Sequence, residues 1–420
     1  MNYIIRDTYL QRIIDRMHNG EVKVITGPRR CGKSWLLSHI FTDYLLSIGV
    51  SEKQIIYLSF DIDDDQNQAD LLNSSALKEY LYSRITDNSQ TYYVMLDEVQ
   101  EVEGFERIVN GLVAKGNIDV YITGSNSHYL SSDINTIFRG RGDEIHVWPF
   151  TFKEFCIGRS ESEQTLWQEY YTYGGMPALR NKMTAEQKNA YLQRIWKKTY
   201  LSDIIERHRI KNTEALEALA DVLSSSVGSL NNPNKISNTI NTLMHIKVSS
   251  ETIGEYMTYF EEAFLFEGVK RYDIKGRKYF DSIKKYYATD IGLRNARLNF
   301  RQQEITHIME NIIYNELRVR GYLVDVGVVE KRKMSNGKQE SFRYEVDFIA
   351  TNGMKKFYIQ SAYRMDDPEK AETESRSLCN IEDSFSKIII HGDDIATYID
   401  EKGITHIGLM RFLKEEDAIL

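Results

Sequence analysis

Two hydrophobic rhythms alternate along the first part of the chain. Short runs rich in aliphatic, β-branched and aromatic residues predict buried strands at residues 21–26 (EVKVIT), 91–98 (TYYVMLDE) and 118–123 (IDVYIT). Apolar residues at helical spacing, as in WLLSHIFTDYLL from residue 35, predict helices between them. Strands alternating with helices are the pattern of a parallel α/β sheet. Residues 184–230 read as largely helical. Residues 231–293 read as helix, turn, helix and two strands, with a start signal at Pro233 and Asn234, an N-cap at Ser249 or Ser250, and a turn near Lys275 to Arg277. That is the order of a winged helix-turn-helix. Residues 306–420 read as an α/β unit of their own. A helix carries Glu310 and Glu316, a strand lies near 323–329, and a basic loop (KRKMSNGKQ) follows. Two further strands, YEVDFIA and FYIQSAY, flank a turn at Asn352 and Gly353.

The chain has 420 residues, which favours two or three domains over one core. The expected division is an ATPase-type domain over 1–180, a helical and winged-helix domain over 181–300, and a third domain over 301–420. With only five prolines and no low-complexity tract, the joints are expected to be helices or short loops. A net charge of −8 argues against a broadly basic coat for nucleic acid, while leaving room for a local basic groove. Cys31, Cys156 and Cys379 are scattered, with neither metal-ligand spacing nor a disulfide framework, which points to a reducing compartment. No signal peptide and no apolar run of about 18 residues occur, so a cytoplasmic protein without a membrane partner is expected.

The chemistry begins at Gly27-Pro28-Arg29-Arg30-Cys31-Gly32-Lys33-Ser34, with Trp35 just beyond, between a strand and a helix. Glycines at 27 and 32 permit the backbone angles that let amides face phosphate oxygens, and the helix start adds partial positive charge. Lys33 is placed for the β- and γ-phosphates of ATP and the Ser34 hydroxyl for Mg2+. Asp97 and Glu98 end a hydrophobic run, where a parallel strand delivers ligand-binding groups. Asp97 suits the magnesium shell and Glu98 suits a base that deprotonates water. Ser125 or Asn126, after the third strand, can touch the γ-phosphate or the water, or simply end a strand in a turn. Arg139 and Arg141 suit a γ-phosphate in a neighbouring subunit, or a solvated basic loop.

Taken together, TGPRRCGKS, MLDEVQEVEGFE, YITGSNSHYLSSD and FRGRGDEIHVWPFTFKEF resemble the AAA+ class of P-loop ATPases. With the YGGMP turn at residues 173–177, they resemble more narrowly a prokaryotic family that joins an AAA-type domain to a DUF4143 domain. The resemblance implies nucleotide chemistry at Lys33, Ser34, Asp97 and Glu98, and a sensor role for Ser125 or Asn126. It also implies arginine fingers at Arg139 and Arg141 that act in trans, and hence a homo-oligomer or a protein partner. The C-terminal pattern resembles a degenerate PD-(D/E)xK, restriction-endonuclease-like fold. Glu310, Asp347 and Gln360 match that pattern, but Ala362 stands where it has lysine, and Lys355 and Lys356 lie earlier on the strand. The missing charge favours a structural or binding module over an active nuclease.

The expected function is an AAA+-type ATPase that hydrolyses ATP with Mg2+ to drive or switch conformational change. One alternative is a nucleotide-gated DNA-binding or DNA-cleaving effector. Another is a nucleotide-switched interaction protein with negligible turnover. DNA is a weak match for the helix after Ser250, whose Glu251, Glu255, Glu261 and Glu262 would oppose phosphates. A kinase would need an acceptor pocket, and the sequence offers none.

Overall fold

A computed structural model of the chain describes residues 3–60, 69–124, 138, 140–335, 338–365 and 368–419. Ser125, Asn126 and Arg139 lie outside them. The chain divides into two compact units, Met1–Pro149 with Glu262–Phe264, and Phe150–Glu261 with Leu265–Leu420.

The first unit is built on strands β1 (Val22–Thr26), β2 (Ile55–Ser59), β3 (Tyr92–Asp97), β4 (Ile118–Thr123) and β5 (Gly142–His146). They form one parallel sheet in the order β2-β3-β4-β1-β5. Period-two alternation explains why the strands read as continuous apolar runs, because both faces are covered. Val22, Val24, Val94, Leu96, Val120 and Ile122 pack on the face that takes Leu77, Leu81, Ile108 and Leu112 from the helices Ser74–Arg84 and Phe105–Val113. Ile25, Tyr93, Met95 and Tyr121 pack on the other face, against Tyr9 and Ile13 of the helix Asp7–Ile14 and Leu36, Leu37, Ile40 and Phe41 beyond the glycine loop. Two charges interrupt this apolar sheet and answer each other. Lys23 of β1 pairs with Asp119 of β4, both buried, and Asp119 also accepts from the Tyr121 hydroxyl and the His18 amide.

The second unit holds a nine-stranded mixed sheet. Its strands are β6 (Leu230–Asn231), β7 (Phe266–Asp273), β8 (Lys278–Ala288), β9 (Leu323–Ser335), β10 (Lys338–Asn352), β11 (Lys355–Ala362), β12 (Ser386–His391), β13 (Tyr398–Ile399) and β14 (Ile404–Gly408). The order is β13-β14-β12-β11-β10-β9-β7-β8-β6. The expected winged-helix elements occur in sequence, as helices Pro233–Leu243 and Ser250–Glu262 followed by β7 and β8. The hairpin is not a free wing, however, because it lies within the sheet between β6 and β9. The basic stretch expected as a loop after residue 330 is instead strand on both sides of residues 336–337. The long β9–β10 ladder from Leu323↔Thr351 to Ser335↔Lys338 satisfies its backbone.

The compact units do not follow the boundaries expected at 180 and 300. Parallel pairing of Arg271, Tyr272 and Asp273 with Val326, Gly327 and Val328 crosses residue 300. The YGGMP turn belongs with the second unit. Gly175 donates its amide to Asp290 at 2.8 Å and accepts from Phe150 at 2.8 Å. Gly174 sits at φ +76°, where a Cβ would lie 2.4 Å from the Asp290 carboxylate.

Candidate nucleotide site

The loop after β1 is shaped by steric demand at Gly27. Its φ is +134°, and a Cβ there would meet the Val147 carbonyl oxygen at 2.1 Å, so only glycine fits. The following turn carries Arg30 at φ +64° and Gly32 at φ +100°, and the helix opens with Leu36 N–H donating to the Gly32 carbonyl at 2.9 Å. A turn of π geometry over Leu36–Phe41 continues the helix, with Thr42 Oγ1 donating to the Leu37 carbonyl. Cys31 is buried, its thiol donating to the Val147 carbonyl at 3.3 Å, and burial pushes that thiol upward in pKa. It is therefore a packing residue of the loop. Arg6, also buried, donates to the carbonyls of Cys31 and Pro149 at 3.1 and 3.3 Å. This clamp from before β1 carries no motif, and sequence reasoning missed it.

Lys33 is 4% exposed and donates to the carbonyls of Gly27 and Pro28 at 2.9 and 3.0 Å. Ser34 and Trp35 are exposed at the helix start, where Trp35 stacks on His39 at 3.7 Å between ring centroids. Asp97 ends β3 and is buried. It accepts from Tyr57 Oη at 2.9 Å and from the Thr123 hydroxyl, and Thr123 in turn accepts from the Glu98 amide at 2.9 Å. Glu98 holds a left-handed backbone, φ +52°, which turns the chain at the strand end. Its Oε2 accepts from Gln100 at 2.6 Å, and its Oε1 lies 4.0 Å from Lys33 Nζ. Burial and then the neighbouring Asp97 charge drive the Tyr57 hydroxyl far above its ordinary pKa, so it stays a donor. Tyr57 and Thr123 were not singled out in sequence; Thr123, as the last residue of β4, carried a signal in its strand-end position, whereas Tyr57 lies in the middle of β2 and carried none.

The structure thus brings residues 27–34, Asp97 and Glu98 to the carboxyl end of the parallel sheet. It places Arg141 elsewhere. The Arg141 carbonyl accepts from Val22 N–H at 2.7 Å, so its backbone sits at the amino end of β1, about 16 Å of strand away from the loop.

In comparisons with known proteins, residues 19–156 match the family model of an AAA domain (AAA_14), and residues 164–304 match a domain of unknown function (DUF8612). An uncharacterized protein of Haemophilus influenzae is 35% identical over 396 residues, covering 93% of each chain. The chain belongs to that protein's family. Uncharacterized protein MJ1544 of Methanocaldococcus jannaschii is 29% identical over 367 residues, covering 83% of this chain and 76% of its own. Among solved structures, the Aeropyrum pernix ORC1 protein in complex with DNA aligns at a TM-score of 0.32 and 11% identity, over 71% of this chain and 93% of that one. The first unit is accordingly an AAA domain, a nucleotide-binding module of the AAA+ ATPase type. The DUF4143 expectation is corrected, because the matching segment belongs to a different family. The YGGMP turn that suggested it is a packing requirement around Asp290, and so does not by itself separate the two families.

The second unit gathers another set of predicted residues. Glu310, Asp347 and Gln360 do converge, with Asp347 N–H 3.4 Å from the Gln360 side-chain oxygen. A lysine is present too, from a strand that the sequence places in the winged-helix segment rather than with these acids. Lys285 of β8 lies 2.9 Å from Glu310, 2.8 Å from Glu345 and 3.6 Å from Asp347. Ala362 is buried in core, and Lys355 sits at the far, hairpin end of β11, where it pairs with Asn352. Lys356 lies over the rings of Tyr358 and Phe385.

Proposed function

We propose that residues 27–34, with Trp35, bind ATP together with Mg2+, and that the protein hydrolyses ATP to drive or switch a conformational change. The observation that carries this reading is the approach of Lys33 to Glu98, 4.0 Å apart, beside an Asp97 carboxylate held from both sides. The Lys33 ammonium, now on the loop's own carbonyls, would exchange them for β- and γ-phosphate oxygens and neutralise charge there. Glu98, oriented by Gln100 and by its anchored amide, would take the proton of the attacking water. The Ser34 hydroxyl and the Asp97 carboxylate are the hard oxygen donors that suit Mg2+. When bound, the ion would withdraw charge from the phosphate oxygens. Ser125 or Asn126 would serve as sensor. Arg139 or Arg141 would be supplied by a neighbouring copy or a protein partner, which makes an oligomer part of this reading. Among the described residues no helix is long and apolar enough to cross a membrane, and a cytoplasmic setting is part of the proposal.

The test is ATP hydrolysis and Mg·ATP binding by the full chain, by Lys33→Ala and by Glu98→Gln, with and without double-stranded DNA. Glu98→Gln should keep Mg·ATP affinity and lose roughly 100-fold or more in turnover, while Lys33→Ala should lose affinity. Stimulation by DNA would favour the effector alternative. Wild-type turnover in Glu98→Gln would overturn the assignment. Tight binding without any wild-type turnover would leave a nucleotide switch.

A further inference from the structure

Lys285 and the carboxylates of Glu310, Glu345 and Asp347 form a charge cluster in the second unit with no part in nucleotide chemistry. An ammonium has three N–H donors, and here three separate carboxylates face it. Two of the acids are fixed independently. Glu310 accepts from the buried Tyr287 hydroxyl at 2.7 Å, and Asp347 accepts from the Ser361 amide at 2.9 Å. The Lys285 side chain is 4% exposed, whereas that of Glu345 is 32% exposed, so the cluster is most open to solvent on the Glu345 side.

Charge decides what this arrangement needs. Glu310 and Glu345, beside an Asp347 carboxyl that burial and the Glu310 charge push up to about 8, leave negative charge that demands a cation, since an uncompensated buried charge is heavily penalised. We propose that Lys285 is the resident cation of this cluster, filling from within the chain a seat that would otherwise take a divalent metal ion. All the facing atoms are carboxylate oxygens, the donor set of Mg2+, Ca2+ and Mn2+. Oxygens now 2.8 to 3.6 Å from the ammonium stand wider than the 2.3–2.6 Å that Ca2+ takes, with about 0.2 to 1.3 Å to close. Glu345, the least buried of the three, has the freedom to close. Among the described residues no group of three or more His, Cys, Asp or Glu is arranged to hold a metal as it stands. With Lys285 seated, a divalent ion would have to displace the ammonium to enter the cluster.

The test uses nucleotide-free full-length protein and Mn2+, with free ion counted by electron paramagnetic resonance. Lys285→Ala should bind one Mn2+ more than wild type, at least about tenfold more tightly than any ion on the wild-type chain. Adding Asp347→Asn should abolish that ion, and Mn2+ should raise the melting temperature of Lys285→Ala but not of wild type. A folded Lys285→Ala that gains no ion would overturn the proposal, as would a wild-type Mn2+ site lost in Asp347→Asn. A measurement on the wild-type chain stands whether or not that variant folds. In acetylation followed by mass spectrometry, Lys285 should react about 100-fold or more slowly than exposed Lys355, because only a free, deprotonated amine attacks, and millimolar Mn2+ should not change that. Equal rates, or a Lys285 unmasked by Mn2+, would show that the ammonium is not the seated cation.

Discussion

Thr123 joins the two acids of the nucleotide site, since its hydroxyl is shared between the Asp97 carboxylate and the Glu98 amide. Thr123→Val keeps the shape and removes both bonds. We expect a loss of about 1.5–3 kcal/mol of hydrogen bonding to a charged group, read as a fall in turnover larger than any fall in Mg·ATP affinity. Equal losses in both would mean that Thr123 only supports the fold. Asp290 behaves differently. Burial drives its carboxyl up to about 6, against the pull of the Leu293 and Gly175 amides. A folded-state value above the unfolded one of 3.8 means that the native state holds the proton more tightly. Its contribution to stability, on the order of 3 kcal/mol, is complete below pH 3.8 and is lost as pH rises towards 6. Urea midpoints of wild type between pH 4 and 6 should therefore carry a downward component with rising pH that is absent in Asp290→Asn. Identical slopes would refute it.

At the level of elements, much was legible and the exceptions have physical causes. The strands β1, β3 and β4 were readable because a sheet covered on both faces needs unbroken apolar runs, and the glycine loop because Gly27 admits no Cβ. Nothing in the sequence marked Arg6 as the clamp of the loop, since a long-range bond to a carbonyl leaves no local pattern. The stretch at 331–339 read as loop because lysines and a Ser-Asn-Gly run mimic turn chemistry, whereas strand pairing gave the backbone of residues 331–335 and 338–339 its bonds. Lys285 escaped notice because the acids it meets lie on a helix and a strand distant in sequence. Ser125, Asn126 and Arg139 remain sequence assignments.

For the whole molecule, the decisive fact is that one sheet spans residues 230 to 408. Domain boundaries read from composition miss such long-range pairing, because β7 and β9 are separated by two helices and a strand in the chain. A fragment of 301–420 would expose the β9 edge that β7 covers at Arg271, Tyr272 and Asp273. It should express as aggregate or as unfolded chain, whereas a fragment starting at Phe150 retains every strand of that sheet. Circular dichroism and gel filtration of the two would check this. A soluble, cooperatively melting 301–420 fragment would contradict it.

The buried Cys31 thiol has a practical consequence for labelling. Thiol reagents reach sulfur only where it is open to solvent and ionisable. Cys31 lies under its own loop with its thiol turned to the Val147 carbonyl, while Cys379 is exposed. Maleimide dyes can therefore be attached at Cys379 on the native sequence. The second unit then carries its own optical reporter, and the loop that is proposed to hold the nucleotide stays chemically untouched.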